Sequence, residues 1–557
     1  MKDLLALVTL ILLLCPTLAV SQTVSADLVI KNANIRTMDD KRSVVRAMAV
    51  ANGRILALGT DDEIAKLVGR KTQVIDAGGK TMIPGFNDAH LHFVPGGEQL
   101  SLVDLRSSQS PEEFAQRIKD YAAKLKEGEW ITGGRWDHEN WKPANLPTKD
   151  LIDKVTPNNP VFVNRLDGHM AVANSLALKL AGVTKDTKDV AGGVIVRDAN
   201  GEPTGVLKDA AMDLVSRVIP DPTFAQRLAA AEAATNYAAS LGVTSAQDMQ
   251  ANQNLAVYQT LLQQGKLKTR LYAGAELADW QSRAHVGIRH AFGGPMLRTG
   301  TLKGYGDGSL GSSTAWFFEP YADTPSTSGV PSAEMPHLYE HISAADKNGL
   351  QVMIHAIGDK TNATVLDIYE RVEKEDGPSD RRFRIEHAQH LRVSDIPRFA
   401  KLGVVASMQP VHLTDDGRWA EKRLGKERLK GTYAFKSLLA SGAHVAFGTD
   451  WSVAPLNPLF GIYAAVTRRT TDDKNPNGWL PDEKISVDAA VRCYTLGSAY
   501  AEYQENEKGT LEVGKLADMV ILSEDIFTID PTTIANVTVL KTIVGGRVVF
   551  DSVSAAK

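Results

Sequence analysis

Apolar and polar positions along the chain predict a β-rich beginning and end around an α/β middle. Near the N-terminus, Asp27–Arg36 predicts one strand and Met48–Gly59 predicts a hairpin around an Asn-Gly turn. Near the C-terminus, Asp518–Leu522 predicts a strand, and Val537–Phe550 predicts two strands joined by a glycine turn. We therefore expect the two ends of the chain to build one composite β-sandwich.

The middle of the chain alternates apolar strands with helical stretches, which is the pattern of a parallel sheet with helices on its faces. Eight candidate strands suit a closed (β/α)8 barrel of the TIM type in the α/β class. They are Thr81–Phe86, Val243–Asp248, Arg270–Ala275, Leu302–Asp307, Leu350–His355, Phe383–His387, Val404–Gln409 and His444–Asp450. The long stretch between the first two, about residues 96–221, predicts an inserted segment or lid. The predicted division is a signal peptide at 1–21, sandwich segments at 22–82 and 501–557, and a barrel at 83–500.

The first residues have the pattern of a secretory signal peptide. Lys2 precedes the apolar run Leu4–Leu14, and the small residues Ala19 and Ser21 follow. The run is much shorter than the roughly 20 residues that a membrane-spanning helix needs, although an uncleaved anchor is the alternative. We expect an exported protein, periplasmic or secreted, that is free of the membrane after cleavage. Cys493 is then its only cysteine.

Composition narrows the class of partner. The chain has 557 residues, of which 43% are hydrophobic and 23% are charged, as in a globular protein with a large core. Its formal net charge of -4 gives no sign of the basic surface that binds nucleic acid. We expect no nucleic-acid partner and a small-molecule ligand, and a homo-oligomer is compatible with the sequence.

Histidines and an aspartate recur at the ends of predicted strands. His90 and His92 are two residues apart on an extended segment, so both side chains point to the same face. His355, His387 and Asp450 each end a later apolar strand. The carboxyl ends of barrel strands meet at one rim, and imidazole and carboxylate groups bind divalent metals. Any one of these residues alone could be structural, but together they predict a metal site.

Lys303 falls early in the fourth predicted strand, where its side chain would point into the barrel. An ammonium group is costly to bury without a partner. Carboxylation by CO2 would convert Lys303 into an anionic carbamate whose two oxygens can bridge two cations. The alternative is a cationic lysine paired with Asp307 or with a carboxylate of the substrate.

Further motifs extend over most of the mature chain. They are Asp167–Ser175, Asp307–Ala315, Asn475–Trp479 and Gly509–Asp518. With these motifs, and with the candidate metal-binding histidines, Lys303 and Asp450 in this order, the chain resembles the amidohydrolase superfamily. It is most similar to the amidohydrolase family 3 branch, which includes N-substituted formamide deformylases. Gly304, after Lys303, departs from the large apolar residue that is usual at that position of the family.

The resemblance implies a barrel with a composite sandwich and a metal site of six residues. These are His90, His92, Lys303, His355, His387 and Asp450. In the family pattern, His90, His92 and Asp450 would hold the buried metal, His355 and His387 a second one, and N6-carboxylated Lys303 would bridge them. The cofactor is then a divalent metal, with one or two ions and zinc as the expected element, although manganese, iron and cobalt suit the same ligands.

The resemblance also implies an enzyme that hydrolyses a C–N bond other than a peptide bond, in an N-acyl or N-formyl amine. Asp450 would take a proton from a metal-activated water and return it to the departing nitrogen. His169 would donate to the substrate carbonyl oxygen, or else it fixes the local loop. Alternatives are hydrolysis of a cyclic amide or an ester, a deamination, or a non-catalytic periplasmic binding protein.

Overall fold

The computed structural model describes residues 25–165, 170–190, 193–311, 313–332 and 334–555. The predicted signal peptide at 1–21 and the candidate catalytic residue His169 lie outside these ranges. Within them, no helix combines the length and the apolar character needed to cross a membrane.

Eight parallel strands lie side by side in chain order and form the barrel. They are β1 (Phe86–Leu91), β2 (Val243–Asp248), β3 (Arg270–Glu276), β4 (Leu297–Tyr305), β5 (Gln351–Ala356), β6 (Arg384–His387), β7 (Val405–Met408) and β8 (Val445–Phe447). A short strand, Phe292–Gly293, pairs with the outer part of β4. The barrel closes just beyond β8, where Asp450 N donates to His90 O at 2.7 Å and Leu91 bridges Trp451. The predicted (β/α)8 barrel is confirmed.

The predicted first barrel strand, Thr81–Phe86, is wrong. Thr81–Pro84 belongs to the sandwich, where it pairs with Met519–Leu522, and β1 begins only at Phe86. Gly85 separates the two, and a Cβ there would lie 2.2 Å from the Thr244 side chain. The apolar run is continuous across the change of sheet, so the hydrophobic pattern does not reveal it. The other seven predicted strands agree with the barrel, with boundaries shifted by a few residues.

Helices cover the outside of the barrel. They are Phe93–Gln99, Phe224–Ser240, Leu255–Gln263, Trp280–His285, Leu338–Lys347, Asp359–Asp376, Ile396–Lys401, Leu413–Asp416, Ala420–Leu424, Phe435–Ala440, Pro458–Thr467, Val487–Arg492 and Ser498–Ala501. Phe224–Ser240 and Pro458–Thr467 begin after residues whose side chains cap them, Thr223 and Asn457. Thr223 and Gln226, for example, form a reciprocal capping box before Phe224–Ser240. Val352, Leu366 and Phe399 belong to the buried cluster between strands and helices.

Both ends of the chain contribute to the β-sandwich, as predicted. One sheet has the order Arg54–Gly59, Ala47–Ala51, Leu28–Lys31, Gln73–Asp76, and the other Arg547–Asp551, Val539–Val544, Met519–Leu522, Thr81–Pro84, Asn34–Arg36, Val44–Val45. Two short helices belong to these segments. Asp61–Ala65 lies in the chain between two strands of the first sheet, and Ser552–Ala555 follows the last strand of the second. The single strand predicted over Asp27–Arg36 is instead two strands in different sheets, because Asn32 takes a left-handed φ of 50° and breaks the extended run.

The stretch between β1 and β2 folds around a mixed sheet of its own. The strand order is Gly193–Arg197, Pro203–Asp209, Met170–Ala173, Phe162–Arg165, Gly133–Trp136, Val103–Asp104, and the helices are Pro111–Ala122, Lys149–Asp153, Ser175–Ala181 and Asp213–Ser216. Phe114, Trp136 and Trp141 pack in a buried cluster with ring centroids 5.5 to 6.4 Å apart. This inserted segment is therefore a packed α/β unit with its own core.

Candidate metal centre

The six residues predicted to bind metal line one cavity of about 430 Å³ at the carboxyl ends of the barrel strands. They are His90, His92, Lys303, His355, His387 and Asp450. Each lies on a barrel strand or shortly after one, so the common direction of the parallel strands brings them to the same rim. Within this group, the candidate ligand atoms of His90, His387 and Asp450 lie within 4.8 Å of one another.

The tautomer of His90 is fixed by a buried carboxylate. His90 Nδ1 lies 2.6 Å from Glu386 Oε2, and Glu386 Oε1 accepts a hydrogen bond from Arg384 Nε at 2.7 Å. Burial would raise the pKa of Glu386, but Arg384 and His90 outweigh it and lower the pKa to about 2. A carboxylate accepts hydrogen bonds only, so the proton of His90 is on Nδ1. Its Nε2 lone pair therefore faces the cavity.

A carboxylate oxygen of Asp450, a second hydrogen-bond acceptor, lies next to this lone pair. Asp450 Oδ1 lies 3.5 Å from His90 Nε2 and 3.3 Å from His92 Nε2, but it has no properly oriented hydrogen-bond donor among the described residues. Burial lowers the pKa of His90 to about 4, so that ring is neutral at pH 7. A neutral nitrogen lone pair and a carboxylate oxygen at this distance repel each other, and a cation bound to both would remove the repulsion. The donor set thus fits a divalent metal.

His387 and His355 complete the histidine group. Their ring centroids are 4.5 Å apart, and the His387 ring centroid is 4.9 Å from that of His90. Burial lowers the pKa of His355 to about 3 and the pKa of His387 well below its usual value, so both are neutral and can act as ligands. His355 Nε2 is 3.0 Å from Gly308 O, which leaves Nδ1 as its ligand atom.

The backbone is strained at two of these positions. His387 and Asp450 have left-handed φ values of 74° and 58°. Residues other than glycine rarely adopt this conformation, and it costs on the order of 1–3 kcal/mol. Such strain clusters at functional sites, where the surrounding structure holds a side chain in a required direction.

Lys303 lies in β4 and is 2% exposed. Burial lowers the pKa of its amine to about 8. Its ammonium group lies 5.0 Å from the centre of the Tyr305 ring, and no carboxylate pairs with it among the residues described. Asp307, the partner weighed from the sequence, instead accepts hydrogen bonds from Ile357 N and other donors. Lys303 is therefore a buried amine that lines the same cavity as the candidate metal ligands and has no ion-pair partner among the described residues.

Two residues that contact the candidate ligands were not predicted from the sequence. Glu386 immediately precedes His387, and His412 follows β7 in a short 3-10 turn, with its Nε2 3.1 Å from Asp450 Oδ2. Burial opposes charge on His412, but the bond to Asp450 raises the pKa of its ring above the usual value. His412 lies shortly beyond the predicted strand Val404–Gln409, whereas Asp450 is the last residue of its own predicted strand, so the strand pattern alone did not include His412.

Comparison with known proteins agrees with this geometry. The model of the amidohydrolase family matches residues 73–550. The chain belongs to the amidohydrolase family. Members of this family generally use a divalent metal, and the clustered His90, His387 and Asp450 of this amidohydrolase fit that chemistry. The resemblance inferred from the motifs is thereby confirmed.

Relatives match this amidohydrolase along nearly its whole length. Protein LONG AFTER FAR-RED 3 of Arabidopsis thaliana is 40% identical over 543 residues, covering 94% of this chain and 92% of the relative. N-substituted formamide deformylase of Arthrobacter pascens is 28% identical over 544 residues, covering 94% and 98%. The crystal structure of an uncharacterized metal-dependent hydrolase from Pyrococcus horikoshii has a TM-score of 0.77 at 30% identity, covering 90% of this chain and 99% of that one. The likeness therefore extends beyond the barrel.

Proposed function

We propose that this amidohydrolase cleaves an amide-like C–N bond in an N-acyl or N-formyl amine, with a divalent cation held by His90, His387 and Asp450. The observation that carries the proposal is the pair of facing acceptors, His90 Nε2 and Asp450 Oδ1, which lie 3.5 Å apart, while Asp450 Oδ1 has no hydrogen-bond partner among the described residues. The N-substituted formamide deformylase supports the bond class, because its likeness covers both chains almost completely.

The cation would supply Lewis-acid activation of water and of the substrate carbonyl. Asp450 is the general base in this proposal, because neighbouring His90 and His412 overcome burial and hold its pKa well below the usual value, which keeps it a carboxylate. It accepts the proton of the attacking water and returns it to the departing nitrogen, since an amine leaves poorly unless it is protonated. His412 fixes the second oxygen of Asp450.

We further propose that His92 and His355 would also serve as metal ligands, and that carboxylated Lys303 would help to hold a second cation. Zinc is the metal that we expect. The pKa of about 8 favours carbamate formation at Lys303, because CO2 reacts only with the neutral amine. His169, outside the described residues, keeps its proposed role as a donor to the substrate carbonyl oxygen.

A product screen with metal-loaded enzyme tests the function. The substrates are paired N-formyl and N-acyl amines, and released amine and acid are both measured. Asp450→Asn keeps the size of the side chain but removes the base, so we expect turnover to fall at least about 100-fold. The matched control is Asp473→Asn, at a side chain that is 88% exposed, and it should leave turnover unchanged.

Each result of the screen bears on the proposal. Amine and acid in equal amounts, lost in Asp450→Asn, would support it. Release of ammonia from an aminated ring, or cleavage of esters or cyclic amides alone, would replace the proposed bond. A protein that binds no divalent metal and turns over no substrate would be a binding protein, and the proposed function would be wrong.

A further inference from the structure

A second cavity, of about 650 Å³, lies between the barrel and the inserted segment. It adjoins the cavity of the candidate metal ligands, because Val453, shortly after Asp450, lines both cavities. From the barrel side it is lined by Trp451 and Ser452, and from the inserted segment by strand residues such as Asn164. A molecule that reaches across Val453 would therefore occupy both cavities at once.

Three arginines of the inserted segment line this second cavity. They are Arg106, Arg135 and Arg165, and Asp104 is the only carboxylate among its described lining residues. Arg165 already pairs with Asp137 at 2.8 Å. Neither Arg106 nor Arg135 has a carboxylate within ion-pair distance in the described part of the chain. The cavity thus carries an excess of positive charge.

Arg135 is aimed at the cavity by polar neighbours and not by an ion pair. Its guanidinium donates to Ser452 O. It also donates to the side-chain oxygen of Gln99 when that amide is turned so that its oxygen faces Arg135. The backbone of Arg135 is left-handed, with φ 61°. Burial and then Arg106 lower its pKa to about 10, so it remains a cation at pH 7. An anionic ligand would offset both effects, because a nearby opposite charge favours the charged form of the guanidinium.

Asn164 adds a buried polar atom, its side-chain oxygen, that lacks a hydrogen-bond partner within the described ranges. A side-chain amide can present either its oxygen or its N–H groups to a ligand, because the two orientations are alike in shape. Buried polar atoms without partners are rare, and a ligand is one of the reasons for them.

We infer that the second cavity binds a carboxylate carried by the substrate, so that the enzyme acts on N-acyl or N-formyl amino acids and not on simple neutral amides. This inference rests on the proposed function and names its substrate class. Arg135 and Arg106 form charge-assisted hydrogen bonds to the carboxylate, and the amide bond then lies at the cavity of His90 and Asp450. The inserted segment supplies the recognition and the barrel supplies the chemistry.

Matched substrates test the inference. N-formylphenylalanine and N-formylphenethylamine differ only in the carboxylate, and kcat/KM is measured for each. We expect the wild-type enzyme to favour the acid by about 10-fold or more. Arg135→Gln and Arg106→Gln should remove most of that preference, so that the ratio of kcat/KM for the acid to kcat/KM for the neutral amide falls towards 1. Arg217→Gln, an exposed arginine of the same segment outside the cavity, is the control.

The variants separate recognition from folding. Arg106 is exposed, so Arg106→Gln reports on the cavity even if Arg135→Gln perturbs the contacts with Ser452. Equal loss on both substrates, or no preference for the acid in the wild-type enzyme, would overturn the inference.

A binding experiment keeps this result apart from failure of the proposed function. If the enzyme cleaves no amide, calorimetric titration with 3-phenylpropanoate and 3-phenylpropanamide still reports on the cavity. The carboxylate should bind about 10-fold tighter, and Arg106→Gln should abolish the difference. Equal binding of the two compounds would sink the inference whatever the enzyme hydrolyses.

Discussion

Glu386 controls which nitrogen of His90 can bind a metal. It accepts the Nδ1 proton of His90 and is held in turn by Arg384, which also donates to Ala89 O at 2.7 Å and to Ser407 Oγ at 3.0 Å. Carboxylates that orient a metal-binding histidine fix its tautomer and raise its basicity. Glu386 is therefore a positioning residue that acts through His90.

We expect Glu386→Gln to weaken metal binding by about 10- to 100-fold, because an amide can donate to Nδ1 and so move the proton to Nε2. Metal content after dialysis against a graded chelator measures the affinity directly. Glu421→Gln, at an exposed position on a short helix, should match the wild-type protein. If Glu386→Gln kept wild-type metal affinity, the tautomer argument would be wrong.

Lys303 offers a separate test of the proposed carbamate. Lys303→Ala should lower both metal content and turnover, and added propionate should restore part of each, because a free carboxylate can take the place of the carbamate oxygens. Carbon-13 NMR after equilibration with labelled bicarbonate should detect the carbamate in the wild-type protein only. Lys422→Ala, at an exposed lysine, is the control. An unlabelled wild-type protein, or a Lys303→Ala protein with full metal content, would exclude the bridge.

The sequence predicted which residues share the cavity but not how they pair. Strand ends of a parallel barrel converge, so His355, His387 and Asp450 could be placed together without knowing any distance. The bond between Glu386 and His90 joins positions 296 residues apart, and no local pattern indicates it. His412 was missed because it follows β7 in a turn that has no apolar periodicity.

At the scale of elements, the contacts that close the barrel are also the contacts that assemble the candidate metal site. The contacts that join the end of β8 to β1 include Asp450 N to His90 O at 2.7 Å, so the same ladder brings two candidate ligands together. Thr449 adds a hydroxyl bond of 2.6 Å to the buried carboxylate of Asp88. Residues at predicted strand ends could be grouped correctly because these polar side chains lie where β8 meets β1.

Element boundaries were predictable only where polarity changes. β2 matches its prediction in full because turn residues bound it on both sides. The change from Thr81–Pro84 to β1 could not be seen in the sequence, since both strands are buried throughout and the apolar run Met82–Phe86 crosses the junction. The inserted segment was located by its length, but its mixed sheet depends on pairings between distant strands that periodicity does not specify.

At the scale of the whole molecule, buried charge links the sandwich to the barrel. Arg270 of β3 makes two hydrogen bonds to Asp518 of the sandwich, at 2.6 and 2.8 Å, and both side chains are at most 6% exposed. The two chain ends therefore depend on the barrel that separates them in sequence. This relation could be inferred from the similar strand patterns at both ends, although the ion pair itself could not.

The cysteines of the chain are compatible with the proposed export. Removal of residues 1–21 also removes Cys15, and the remaining Cys493 is buried, which raises the pKa of its thiol to about 12. A thiol with so little thiolate is inert, so the mature protein suits an oxidising compartment without needing a disulfide.

Intact-mass measurement on protein from a secreting bacterial host tests the export proposal. We expect the mass of a chain that begins at Gln22, recovered outside the cytoplasm. Leu10→Arg places a charge in the apolar run and should leave the uncleaved precursor inside the cell, because that run must enter an apolar environment. Full-length protein in the membrane fraction would favour the uncleaved anchor instead. Full-length protein in the cytoplasm would rule out export, and the metal chemistry would stand unaffected, since its ligands all lie beyond the removed segment.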